Sequence, residues 1–157
     1  MSRKPKSQRP VILDEARGII AQLQEDGRRP YTRIGAAVGL SEAAVRQRLQ
    51  QLIGAGVLQL VAVTDPMTLG MRRVAMVGIA AEGDVRAVAN AVSDVPEVDY
   101  VVLTAGSFDL LIEVVCQDDD HLFALLNDRI RAIPGVRSTE TFVYLSLRKQ
   151  TYTWGAR

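Results

Sequence analysis

The residues best suited to chemistry lie in the run Ile-Gly-Ala-Ala-Val-Gly-Leu-Ser-Glu-Ala-Ala-Val-Arg-Gln-Arg-Leu-Gln-Gln-Leu, from Ile34 to Leu52. On a helical wheel Val45, Leu49 and Leu52 recur at i, i+4 and i+7 and mark a core face. Ala43, Ala44, Gln47, Gln50 and Gln51 fall opposite. Small residues at a helix start let it sit deep in a DNA major groove, and a glutamine amide can pair bidentately with an adenine edge. Arg46 and Arg48 flank this face and suit phosphates or groove walls, although Arg48 is equally suited to cap carbonyls of a neighbouring helix. The alternative reading of the stretch is an ordinary exposed helix of a small bundle.

Such a face needs elements to hold it, and the flanking residues supply them. Ile34 and Val38 give an earlier helix an apolar edge, and Gly39 stands where a left-handed residue stops it. Leu40 reads as a buried turn residue. Ser41 is placed to cap the second helix, with Glu42 in its positive first turn. This is a helix-turn-helix. Before it, Asp14 reads as the cap of a helix with core stripe Ala16, Ile19, Ile20 and Leu23, ending at Asp26-Gly27. Pro30 introduces the next helix, where Tyr31, Thr32 and Arg33 surround a start able to hold a phosphate. After Gly54-Ala55-Gly56, the run Val57 to Val63 reads as a short strand, which completes a winged-helix-like domain.

From Arg72 onward a pattern occurs twice. Val74 to Ile79 reads as a strand, Val85, Val88, Ala89 and Val92 as a helix, and Val95-Pro96-Glu97-Val98 as a turn into a strand over Asp99 to Thr104. The order returns with Leu110 to Val115, then Leu122, Leu125, Leu126 and Ile130, then Ile133-Pro134-Gly135-Val136 and a strand from Thr139 to Leu147. Two such halves make a ferredoxin-like βαββαβ domain with helices on one face of a four-stranded antiparallel sheet. The strands are apolar at consecutive positions, as in Val101-Val102-Leu103 and Leu110-Leu111-Ile112, so both faces require cover. A second copy of the chain, packed sheet to sheet, is the simplest cover. It would present two heads to a two-fold symmetric site on double-stranded DNA.

Charge divides the same way. Residues 1–56 hold ten Lys or Arg against five Asp or Glu, and residues 57–157 hold nine against thirteen, so a basic module precedes an acidic one. The expected organisation is a flexible basic arm over 1–11, a helix-turn-helix domain over 12–64, a linker over 65–71, the ferredoxin-like domain over 72–147 and a tail over 148–157. The arm suits phosphates or a minor groove, or serves only to solubilise. The start shows basic residues with no apolar run behind them, and no stretch of about 18 apolar residues occurs, which points to the cytoplasm and away from membranes.

Catalysis finds little support. Asp118-Asp119-Asp120-His121 are consecutive at a helix start and diverge, so they suit a negative helix N-terminus better than a metal site, and His121 reads as a surface residue. Cys116, the only cysteine, sits in an apolar strand and reads as core. No phosphate loop or Ser-His-Asp set is visible. We expect no enzyme, no metal and no cofactor.

With the helix-turn-helix, the Asp65-Pro66 and Leu69-Gly70 linker and the turn Gly106-Ser107-Phe108-Asp109, residues 12–148 resemble the Lrp/AsnC family of transcriptional regulators, also called feast/famine proteins. The resemblance implies a DNA-binding head and a C-terminal domain that senses an amino acid or related small molecule. It also implies dimers that assemble into octamers or other sets. The effector would bind between dimers at the Gly-X-X-Asp turn, here Gly106 and Asp109, with Thr104, Thr139 and Thr141 as neighbours. Asp109 suits a ligand ammonium and the threonine hydroxyls a carboxylate; alternatively, Gly106 and Asp109 only make and cap the hairpin. The basic arm and the tail with Tyr152 and Trp154 depart from the family pattern. A rival function is an oligomeric ligand-binding or DNA-architectural module with little sequence specificity, since Ala43 and Ala44 make few specific contacts.

Overall fold

The computed structural model describes residues 14–151. The expected arm, the Asp14 cap and the aromatic tail residues Tyr152 and Trp154 lie outside the described side chains. The chain divides into two compact units, the first built by residues up to Ala62 and the second by Val63–Arg148.

The first unit is three helices: α1 (Asp14–Glu25), α2 (Tyr31–Val38) and α3 (Glu42–Gly54). Ile19 and Leu23 of α1 meet Ile34 of α2 and Val45 and Leu49 of α3, all nearly or wholly buried, with Tyr31, Val38, Leu40 and Leu58 at the margin. Leu40 is therefore half-buried rather than fully buried. A smaller cluster of Ala16, Ile20 and Leu52 closes the other end. Helix α2 stops at Gly39, whose φ of 73° needs no side chain, and the Gly39 N–H donates to the Gly35 carbonyl. Leu40 N–H donates to the same oxygen at 2.9 Å. The chain can turn so tightly because Gly35 has no Cβ: one placed there would collide with the Leu40 carbonyl oxygen. Ser41 then caps α3, its hydroxyl accepting the Ala44 N–H at 3.2 Å.

One expectation fails here. Val57 to Val63 forms no strand; after the turn that ends α3, Val57 and Leu58 N–H both donate to the Leu52 carbonyl and the rest of the segment is irregular and exposed. A strand needs a partner backbone, and among the described residues every strand belongs to the other unit's sheet. The head is thus a helix-turn-helix without a wing strand.

The second unit is a four-stranded antiparallel sheet in the order β2-β3-β1-β4, with β1 (Arg73–Ala81), β2 (Val98–Leu103), β3 (Leu110–Cys116) and β4 (Val136–Val143). Helix α4 (Val85–Ser93) and helix α5 (Asp119–Ala124), which runs on as a wider π-helical turn over Leu125–Ile130, cover one face. Ala75, Val77, Ile79, Leu110, Ile112, Val114 and Cys116 point to these helices and are fully buried. Strand β4 stops at Val143, short of the expected Leu147, because Tyr144 N–H reaches Val74 at the start of β1 and no further strand remains to pair. Strand β2 starts at Val98, one residue early, with a bulge before Tyr100. Asp84 and Asp118 cap their helices.

The opposite face carries Met76, Leu111, Val115 and Val102 half-buried, and Tyr100 and Phe142 at 51% and 45% exposure. This is the uncovered apolar face that the consecutive apolar positions require.

The turn between α2 and α3 yields a stability prediction. Ser41→Ala should cost about 1 kcal/mol through the lost cap, and Gly35→Ala about 2 kcal/mol through forced separation of α2 from the turn. Urea unfolding followed by circular dichroism checks both, and the glycine variant should be the weaker.

Candidate DNA-reading face and effector turn

On α3 the structure separates the two faces as the wheel does. Val45, Leu49 and Leu52 are buried, while Ala43, Gln47, Gln50 and Gln51 are exposed and Ala44 is half-buried. Leu40, Ala44, Gln47, Arg48 and Gln51 line a shallow hollow of about 130 Å³ on this side. Arg48 is half-buried and its guanidinium donates to the Gln51 amide oxygen at 3.4 Å, so it is tied to its own helix. Arg46 is also tethered: it donates to Glu42 at 2.7 Å and lies 5.4 Å from the centre of the Tyr31 ring, a cation-π contact that links α3 to the first residue of α2. Thr32 and Arg33 are exposed, and Arg33 lines a second hollow with Gln22, Asp26, Arg29 and Pro30. Ser41, by contrast, is spent on capping.

In the second unit the turn from Thr104 to Asp109 joins β2 to β3 and is fixed by its own hydrogen bonds. Thr104 N–H donates to the Asp109 carbonyl at 2.9 Å, and the Thr104 hydroxyl donates to the Phe108 carbonyl at 2.5 Å. Asp109 also binds β1: its N–H donates to the Ile79 carbonyl, and its carboxylate accepts the Ala81 N–H at 2.8 Å. One carboxylate oxygen is thus a latch between turn and sheet. Gly106 is exposed, and a Cβ there would meet no atom of the described residues within 4 Å.

Thr139 and Thr141 stand on β4, in register with Ile79 and Val77 of β1. Thr104, Gly106 and Asp109 share one turn, whereas Thr139 and Thr141 stand across β1 from it, with β1 lying between β3 and β4. The Thr139 hydroxyl accepts from Arg131 Nε at 2.9 Å.

Sequence reasoning missed the role of Phe108. Its ring lies over Gly78, where a Cβ would stand 2.5 Å from it, and it packs edge-on against Phe142 with ring centres 6.3 Å apart. A glycine inside an otherwise apolar strand was the available signal, since it marks close approach by another group. Also missed was Glu113 on the open face, which accepts from the Tyr144 hydroxyl at 2.7 Å; burial and this bond push the tyrosine up to about 12.

The rejected catalytic candidates are accounted for structurally. Cys116 is buried, and desolvation, followed by nearby Glu97 and Asp118, raises its thiol above the usual range. His121 is half-buried rather than a free surface residue, with Nε2 3.5 Å from Glu97, which Arg129 also pairs at 2.8 Å. Among the described residues no cluster of His, Cys, Asp and Glu could hold a metal, and no helix is long and apolar enough to cross a membrane.

Comparison with known proteins agrees with this architecture. Residues 17–53 match the AsnC-type helix-turn-helix domain, and residues 71–157 match a C-terminal dimeric alpha+beta barrel domain of the AsnC type. An uncharacterized HTH-type transcriptional regulator of Pyrococcus abyssi is 36% identical over 92% of this chain and 93% of its own length. The proline dehydrogenase transcriptional activator of Rhizobium radiobacter is 32% identical over 85% of this chain and 88% of its own. Among solved structures, the feast or famine regulatory protein of M. tuberculosis complexed with L-methionine superposes with a TM-score of 0.80 at 26% identity, over 89% of this chain and 96% of that one. Its domains, their order and their internal geometry agree with these relatives, and the chain belongs to the Lrp/AsnC family of helix-turn-helix transcriptional regulators.

Proposed function

We propose that this regulator binds specific sites on double-stranded DNA as a dimer and that an amino acid or related small molecule, bound at the turn from Thr104 to Asp109, alters that binding. The observation that carries the reading is the exposed face of α3, with Ala43, Gln47 and Gln50 open on a helix whose other side is wholly buried. Gln47 and Gln50 read base edges, Ala43 and Ala44 allow the helix start to enter the groove, and Tyr31, Thr32, Arg33 and Arg48 position it on phosphates. Ser41 contributes its place at the helix start, and Arg46 lies on the flank of the face.

The second unit supplies the dimer and the response. A sheet face bearing Met76, Leu111, Val115 and Phe142 is covered by the same face of a second copy, consistent with the dimeric description of the matched domain. Dimers assemble further, to octamers or comparable sets, and the exposed Gly106 leaves room there for ligand and neighbour. Solved relatives from M. tuberculosis and Neisseria meningitidis contain L-methionine, which supports an amino-acid effector. Asp109 receives the ligand ammonium, while Thr104, Thr139 and Thr141 border the carboxylate. The coupling between ligand and DNA would be about 1–3 kcal/mol. A cytoplasmic location fits such a protein.

Four outcomes test this reading. Gln47→Ala should weaken binding to a selected site by about 1–3 kcal/mol and leave random DNA unaffected. Arg33→Ala should weaken both and lower the salt slope by about 0.9; equal losses on both duplexes from every substitution would instead favour the module with little sequence specificity. Asp109→Asn, which keeps an acceptor for the Ala81 N–H, should remove the amino-acid response in fluorescence anisotropy while DNA binding persists. Leu111→Asp should convert the dimer to monomers in light scattering, and a wild-type monomer at micromolar concentration would contradict the sheet-to-sheet arrangement.

A further inference from the structure

We infer that Glu42 is a brake on DNA binding, acting through Arg46, so that each head binds any duplex more weakly than its basic residues allow. The inference rests on α3 being the recognition helix. Glu42 is the first residue of α3 and immediately precedes Ala43 and Ala44, at the end of the helix that enters the groove. A carboxylate there meets the negative potential of the phosphates, whatever the base sequence.

Its second effect is on Arg46. That guanidinium is held at 2.7 Å by Glu42 and stacked over Tyr31, so two contacts from different helices keep it on the head's own surface. Both charged side chains remain substantially exposed, at 58% for Arg46 and 46% for Glu42. An exposed pair at i, i+4 is weakly held, so a phosphate can take the guanidinium from it. Each such exchange gives up the Glu42 contact and leaves the carboxylate beside the DNA.

The cost is the same for every sequence. It suppresses nonspecific binding and makes occupancy depend on the base contacts of Gln47 and on engagement of both heads. A purely local account, in which Glu42 only complements the positive start of α3, predicts a change in helix stability and none in DNA binding.

The experiment compares the full chain with its Glu42→Gln variant by fluorescence anisotropy, across a range of salt, on a duplex selected from a random library by the wild-type protein and on its scrambled counterpart. The variant should bind both duplexes about tenfold more tightly as a dimer, with the salt slope steeper by about 0.9 per head and the selected-to-scrambled ratio unchanged. In an Arg46→Ala background the gain should shrink to about twofold, since the two residues act as a pair. Unchanged affinities and slopes, with only a shifted melting temperature, would overturn the inference. So would a loss confined to the selected duplex, which would make Glu42 a reader of a cytosine amino group. If the wild-type chain selects no duplex at all, the recognition-helix reading itself falls, and the brake with it.

Discussion

The exposed face of α3, proposed to read DNA, depends on one carbonyl oxygen, that of Gly35. It takes the N–H groups of both Gly39 and Leu40, and so ends α2 and aims the chain into α3 within three residues. Any side chain at Gly35 would push that turn away, and the Ser41 cap would no longer begin α3 against Ile34. With the turn fixed, burial of Val45, Leu49 and Leu52 leaves the helix no rotational freedom. The exposure of Ala43, Gln47 and Gln50 follows from packing on the other side. The surface proposed to read DNA is in this sense a by-product of a small apolar core.

A comparable economy operates at the end of the sheet. Ile79 and Ala81 of β1 hold Asp109 through a backbone carbonyl and a backbone N–H, while Gly78 between them and Val77 gives up its side chain to seat Phe108. Phe108 thereby belongs both to the turn and to the open sheet face, where it meets Phe142. The turn proposed for the effector and the face proposed for the second copy share this residue. Glu113 and Tyr144 place a polar pair within the same apolar surface, which a second copy packed there as proposed would have to accommodate.

Much of this was legible in the residues themselves. The periodicity of Val45, Leu49 and Leu52, the glycine before the turn and the serine after it located the helix-turn-helix because each has a local physical cause. The paired apolar-Pro-X-Val turns located both halves of the sheet domain for the same reason. Val57 to Val63 misled because its β propensity was read without a partner strand, and pairing is a property of the whole sheet. Composition alone extends the final strand to Leu147, whereas β1 begins at Arg73 and offers no backbone before it for β4 to pair with. Side-chain tethers were invisible for another reason. Arg46 reaches Tyr31 only because α2 and α3 cross where they do, and Thr139 meets Arg131 only after a helix and a turn have folded back.

The central claim, a DNA-binding protein whose affinity responds to an amino acid, meets its most direct test in one titration. Fluorescence anisotropy would follow the full chain on DNA from upstream of its own coding sequence, against random competitor, with and without a pool of the common amino acids. The account predicts selective binding whose midpoint moves when the pool is added, and fractionating the pool then names the effector. Binding no tighter than to competitor, with no shift on adding the pool, would contradict it.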